Sequence, residues 1–211
     1  MTAFADFLLG RLPPPPARVL EVGCGRDGGA TPDLVAAGYD VLAIDPDAPE
    51  GERYRPIAFE QLDEEPFDAI VAERVFHHVH PLGDALDKVA RMSPLFALDE
   101  FAWDRIDDPT REWYEAQHRA LVASGREPVG PPDLGEWRAK WDDLHPSTVV
   151  LEEVRRRFET RHYEELPYLF RWLDGPASAP LEETLLAAGA VRPIGFRWAG
   201  VSRSAAARPA G

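Results

Sequence analysis

Glycines at 23, 25 and 28, with Glu21 before them and Asp45 after them, are the residues whose types and spacing point most directly to chemistry. Closely spaced glycines let the main chain turn sharply and bring its N–H groups against a ligand. Asp45 follows Gly23 by 22 positions, and a carboxylate so placed can accept hydrogen bonds from a ribose diol. The three glycines also satisfy the G-x-G-x-x-G spacing of a dinucleotide site. Glu21 opposes that assignment, because a carboxylate aimed into the turn would repel a pyrophosphate. It would favour a ligand with an ammonium or sulfonium centre.

His77, His78 and His80 form a second cluster. Metal-binding helices present histidines on one face at i and i+4, and adjacent histidines point apart. No carboxylate stands at a companion spacing, so no metal is expected here. Arg155, Arg156 and Arg157 follow Glu152 and Glu153 at i,i+4 spacing, which is an ordinary solvated helix face and not a phosphate site.

These residues must be positioned by regular elements. Residues 2–12 carry apolar positions at helical spacing and stop at four consecutive prolines, 13–16. Residues 18–22 read as a buried strand ending at the glycines. Thr31-Pro32 opens a helix, with Thr31 as N-cap, and Gly38 closes it. Residues 40–44 are a second strand, ended by Asp45-Pro46. Strand, glycine turn, helix and strand make a βαβ unit of a parallel sheet. Residues 54–59 give a weak strand and 67–72 a stronger one. A helix over 81–92 and a strand over 95–98, ending in Asp99-Glu100, complete this half.

The character then changes: four of the six tryptophans (Trp103, Trp113, Trp137, Trp141) fall within residues 101–145. A helix is expected from Asp108 to about Ser124, with Gly125 as its stop signal. A strand over 159–166, a helix over 181–188 and a strand over 194–201 resume the alternation. The tail from Ser202 is small and polar and is expected to fray. The division expected is 1–100, the N-terminal helix and cofactor-binding half of the sheet; 101–158, an aromatic helical insert; and 159–211, the strands and helix completing the same domain. The aromatic insert reads equally well as a lid over a binding site or as a helical layer filling its own core.

Lys and Arg total 23 against 37 Asp and Glu, a net charge of −14. Such a surface repels phosphates, so nucleic acid is not an expected partner. The single cysteine, Cys24, excludes an intrachain disulfide framework and a multi-cysteine zinc site. No apolar run reaches the ~20 residues of a membrane span, and residues 1–10 lack the pattern of a signal peptide. A cytoplasmic location is expected; oligomeric state is open, a homodimer included.

Residues 19–25, Val-Leu-Glu-Val-Gly-Cys-Gly, closely resemble the first motif of class I S-adenosylmethionine-dependent methyltransferases of the small-molecule type. Residues 41–45 resemble that family's second strand and ribose-binding acid. Residues 67–79 are similar to its fourth strand and following segment, and 95–100 to its fifth strand. The helix at 181–189 and the strand at 191–196 resemble its C-terminal end. Two features depart from the pattern. Asp27 stands where the third glycine falls, with Gly28 one place later, and no Pro-Gly-Gly-type turn precedes the fifth strand.

The resemblance implies a Rossmann-like α/β fold: a seven-stranded, mostly parallel sheet with an antiparallel last strand and a helical insert after the fifth strand. It implies an enzyme of EC 2.1.1 type that moves a methyl group from S-adenosyl-L-methionine to a small-molecule acceptor, leaving S-adenosyl-L-homocysteine. Glu21, Gly23, Cys24 and Gly25 would cradle the amino acid end of the cofactor, and Asp45 with Pro46 the ribose. Phe59 and Glu60 fall in the loop that flanks the adenine, and Glu73 at the mouth of the crevice. His77, His78 and His118 are candidates for the base that removes a proton from the acceptor, together with Asp99 and Glu100. Two other assignments stay open: a non-catalytic methyltransferase-like binding module, and an NAD-dependent oxidoreductase using the same glycine turn.

Overall fold

The computed structural model describes residues 1–63, 65–141 and 143–203. Helix α1 (Ala3–Leu9) buries Phe4, Phe7 and Leu8 on one face, and the Thr2 hydroxyl caps it by accepting from Ala5 N at 3.1 Å. Strand β1 (Arg18–Val22) is buried from its second residue on. Helix α2 (Thr31–Ala36) and strand β2 (Asp40–Ile44) follow, joined through Gly38 at φ 93°. Strand β3 (Tyr54–Arg55) leads to a 3-10 turn at Phe59–Gln61. Strand β4 (Ala69–Glu73), helix α3 (Leu82–Met92) and strand β5 (Leu95–Phe101) come next. Helices α4 (Asp108–Ala123), α5 (Leu134–Lys140) and α6 (Ser147–Arg157) precede strand β6 (Phe158–Leu166). Helix α7 (Ala179–Ala187) and strand β7 (Gly195–Ser202) close the chain. Of the tail expected to fray from Ser202, Ser202 instead ends β7, its N–H on the Pro94 carbonyl at 2.7 Å, and residues 204–211 lie outside the described residues.

The seven strands form one sheet in the order β3-β2-β1-β4-β5-β7-β6, parallel from β3 to β5 and antiparallel at the last strands. The order places β1 between β2 and β4, with connections leaving in opposite directions. Ligands bind outside the carboxyl ends of strands at such a switch point. The loops after β1, β2 and β4 meet there.

Three elements differ from expectation. Ala30, not Thr31, is the N-cap of α2; Thr31 begins the helix and spends its hydroxyl on Glu21. Strand β3 stops at Arg55, because Pro56 offers no N–H to continue a ladder. The residues after it form a loop tied down by Lys88, whose Nζ donates to the carbonyls of Phe59 (2.9 Å), Glu60 (3.3 Å) and Leu62 (2.5 Å). Strand β5 runs on through Asp99 and Glu100, since pairing continues to Glu73 opposite Asp99 and both carboxylates find buried partners. The connection from α3 to β5 is only Ser93-Pro94, closed by the Ser93 hydroxyl, which accepts from Leu95 N and donates to Leu95 O.

The chain divides into two compact units. One comprises Met1–Glu100, Thr148–Tyr163 and the chain from Arg197 on; the other comprises Phe101–Ser147 and Glu164–Phe196. In the first, α1, β1, α2 and β2 share a core around Phe4, Leu8, Val19 and Leu34. Most of α6 also belongs to this unit, where Arg157 binds Asp87, Glu153 and the Gly83 carbonyl. In the second unit the aromatics pack a core of their own: Phe101 stacks on Tyr168 with ring centroids 4.4 Å apart, and Trp172 meets both edge-on. Glu182 of α7 is buried there and accepts three N–H groups, from Tyr168, Leu169 and Phe170, fixing the chain that carries these rings.

Candidate functional site

Gly23 N donates to Ile44 O at 2.8 Å, stitching the glycine turn to the end of β2. Gly23 is in the left-handed region (φ 84°), and the place of its missing Cβ is filled by the Val75 side chain. Only glycine satisfies both conditions. Gly25 is also left-handed (φ 60°), but the space where its Cβ would project is open for 4 Å. Gly28 turns under the Tyr54 hydroxyl. The turn is thus packed shut at Gly23 and borders open space at Gly25, which is not among the residues lining the cleft described below.

Glu21 packs into the turn, its carboxylate filling the place a Cβ would take at Gly29. It is fully buried; one oxygen accepts from Ala30 N (2.7 Å) and the other from the Thr31 hydroxyl (2.5 Å). Its carboxylate is therefore engaged at the start of α2. Burial pushes its pKa up from 4.5 to about 7, against the lowering effect of those two bonds. The unfolded carboxyl loses its proton near 4.5 while the folded one keeps it to about 7. The native state binds more protons in that window, so this group's contribution to stability falls as pH rises through it. The difference amounts to about 3 kcal/mol. Glu21→Gln keeps an acceptor for Ala30 N and a partner for Thr31, and should lose this dependence. Melting curves from pH 5 to 8 are expected to show the variant gaining on wild type as pH rises; parallel curves would show that Glu21 titrates normally. Cys24, next in the turn, is also buried, and burial pushes its thiol up to about 12. It stays protonated at neutral pH and is no nucleophile.

Asp45 follows the last residue of β2. One of its oxygens accepts from Asp47 N at 2.8 Å, an Asx turn that aims the carboxylate along the strand ends. It lines a cleft of about 340 Å³ with Gly23, Pro46, Phe59, Glu60 and His78. That volume is in the range of small-molecule sites. Expected residues from four separate loops, those after β1, β2, β3 and β4, therefore meet in one place.

The others fall elsewhere. Glu73 ends β4 outside the cleft lining, its carboxylate 3.0 Å from the Arg74 guanidinium. His77 is buried, its Nδ1 2.6 Å from Glu100 Oε2, and its ring lies 4.2 Å from that of His78. Asp99 is buried against Arg197 Nε at 2.9 Å. His118 belongs to the second unit, where Nε2 sits 3.2 Å from the Gly130 carbonyl and the ring packs on Tyr114. Of the three candidate histidines, His78 is the one that lines the cleft. No group of three or more His, Cys, Asp or Glu among the described residues is arranged to hold a metal ion.

Arg74, Val75 and Lys88 are absent from the sequence-based expectations and matter here. Arg74 lines the cleft and is the non-glycine residue with positive φ (57°) among those described, a strained conformation typical of functional turns. Nothing in its local sequence signals this. Val75 reads as one more apolar residue after a strand. Lys88 carried a usable signal, a cation directly beside Val89 of the apolar face of α3, and the structure half-buries it. A larger cleft of about 740 Å³ opens at the amino ends of β4 and β5, lined by Arg91, Arg156, Arg157 and Arg203 near the ends of α3 and α6. It contains none of the candidate cofactor-binding or catalytic residues.

Residues 1–164 match a protein family described as a methyltransferase domain. No curated protein matches the sequence. Among solved structures, an S-adenosylmethionine-dependent methyltransferase from Mesorhizobium loti is 17% identical over 94% of this chain and 96% of its own, with a TM-score of 0.59. Geranyl diphosphate C-methyltransferase from Streptomyces coelicolor A3(2) is 14% identical over 94% of this chain and 78% of its own, at a TM-score of 0.60. At such identities the likeness is one of fold.

Proposed function

The chain belongs to the methyltransferase-domain family, and from that premise we propose that it transfers a methyl group from S-adenosylmethionine to a small-molecule acceptor. The observation that carries this reading is the convergence of Gly23, Asp45, Phe59 and His78 on one cleft at the sheet's switch point.

The residues present fit that cofactor. The open space at Gly25 leaves room for close main-chain approach, and Asp45 offers an anionic acceptor for ribose hydroxyls. Phe59 and Ile57 supply apolar surface for a base. S-adenosylmethionine supplies a methyl group on a sulfonium centre. The chain's own contribution is orientation: the glycine turn would hold the amino acid end and Asp45 the ribose, and alignment of reacting atoms is worth much of such a barrier. Where the acceptor carries a hydroxyl or phenol, His78 is the histidine in the cleft able to take its proton. A small acceptor is supported by the net charge of −14, which disfavours nucleic acid. The Streptomyces coelicolor protein, solved with geranyl diphosphate, is a precedent on this fold.

Parallel calorimetric titrations with S-adenosylmethionine, S-adenosylhomocysteine and NADH test the cofactor. Micromolar binding of the two sulfur nucleotides alone is expected. NADH binding alone would make the protein a nicotinamide enzyme, and no binding would make it a non-catalytic module.

A further inference from the structure

Glu100 is fully buried near the end of β5, yet it is not a reactant in waiting: its carboxylate is already committed. Oε1 accepts from Val75 N (2.9 Å) and Phe76 N (2.6 Å), and Oε2 lies 2.6 Å from His77 Nδ1. A carboxylate only accepts, so Nδ1 carries the proton there. Three successive residues of the β4–α3 loop thus hang on one side chain.

Each of the three then touches a different part of the cleft. The Val75 side chain fills the place of the missing Cβ at Gly23, closing the β4 loop onto the glycine turn. Phe76 packs its ring 6.1 Å from Phe59, in the loop where the adenine is expected, and edge-on to Phe96 at 5.2 Å. His77 lies under His78, which lines the cleft. Just before them Arg74 holds its left-handed conformation with its N–H on the Asp99 carbonyl (2.8 Å). A loop that begins in a strained conformation needs a strong anchor. Two N–H bonds and an imidazole on one buried carboxylate provide it.

We propose that Glu100 is a positioning residue for the cofactor cleft, setting the glycine turn, the Phe59 loop and His78 in register through Val75, Phe76 and His77. The role rests on the function proposed above, since the cleft is where S-adenosylmethionine is placed.

The test is calorimetric titration of S-adenosylhomocysteine into wild type and the Glu100→Gln, Glu100→Ala and Glu100→Asp variants. Amide exchange over residues 23–29 and 74–80 is followed without ligand. Glutamine can accept from both N–H groups and face His77 in its other tautomer, so its Kd is expected within about threefold of wild type. Alanine removes every bond and aspartate the reach to make all three. For either, Kd is expected to rise about tenfold to a hundredfold, with faster exchange in both segments. Aspartate decides the matter if alanine does not fold. Unchanged Kd, with faster exchange confined to 74–80, would reduce Glu100 to a local prop and overturn the proposal. Equal losses for glutamine and alanine would also overturn it, because charge and not register would then be at stake. Failure of wild type to bind is a separate result, one that removes the proposed function before any variant is compared.

Discussion

Asp45→Ala is expected to weaken S-adenosylmethionine and S-adenosylhomocysteine binding by about 10- to 150-fold, the loss of a charge-assisted acceptor worth about 1.5–3 kcal/mol. The carboxylate has two jobs. One oxygen closes the Asx turn on Asp47 N, at 2.8 Å, and the side chain lines the cleft. Asp45→Asn separates them, because the amide oxygen can still close the turn while the charge is gone. Asparagine is therefore expected to keep the melting temperature and lose most of the affinity. Calorimetry on both variants checks this. Wild-type affinity in the alanine variant would remove Asp45 from the site; loss in alanine with full retention in asparagine would assign the effect to the turn.

Two glycines in the same turn should fail in opposite ways. At Gly23 the φ is 84° and Val75 occupies the space a Cβ needs. Alanine there must push the two walls of the cleft apart, at a cost of about 2–4 kcal/mol and a fall in melting temperature of about 5–10 °C. Cofactor binding should be lost with it. At Gly25 the φ is 60° and the neighbouring space is open. Alanine there should cost only about 1 kcal/mol of backbone strain, yet project a methyl group into that space and weaken S-adenosylhomocysteine binding at least tenfold. Thermal melts and calorimetry on the pair give a two-by-two outcome. A stable Gly25→Ala variant with wild-type affinity would show that nothing binds against that turn.

The sheet and the glycine turn were legible because local signals dictate them. Buried apolar runs at 18–22 and 40–44 read as strands, and glycines between a strand and a helix read as a turn. The end of β5 was not legible. Asp99 and Glu100 look like the polar residues that stop a strand, and they continue it because Arg197 and the β4–α3 loop supply partners far away in sequence. Glu21 shows the same limit: its type and position mark the turn, but nothing local says that its carboxylate will be engaged by Ala30 and Thr31.

The sequence by itself determined the kind of protein: the strand–turn–helix–strand unit, the acid at the end of the second strand, and the charge that disfavours nucleic acid. Each follows from composition, periodicity or spacing within a few dozen residues. Only the tertiary structure decided which candidate residues share a cleft and which are spent in support. His77, His78 and His118 are one residue type in the sequence. The fold gives the first a buried carboxylate, the second a place in the cleft and the third a backbone carbonyl in another unit. The physical reason is that a polar side chain's role is set by the partners that satisfy it, and those partners arrive through contacts that no local pattern encodes.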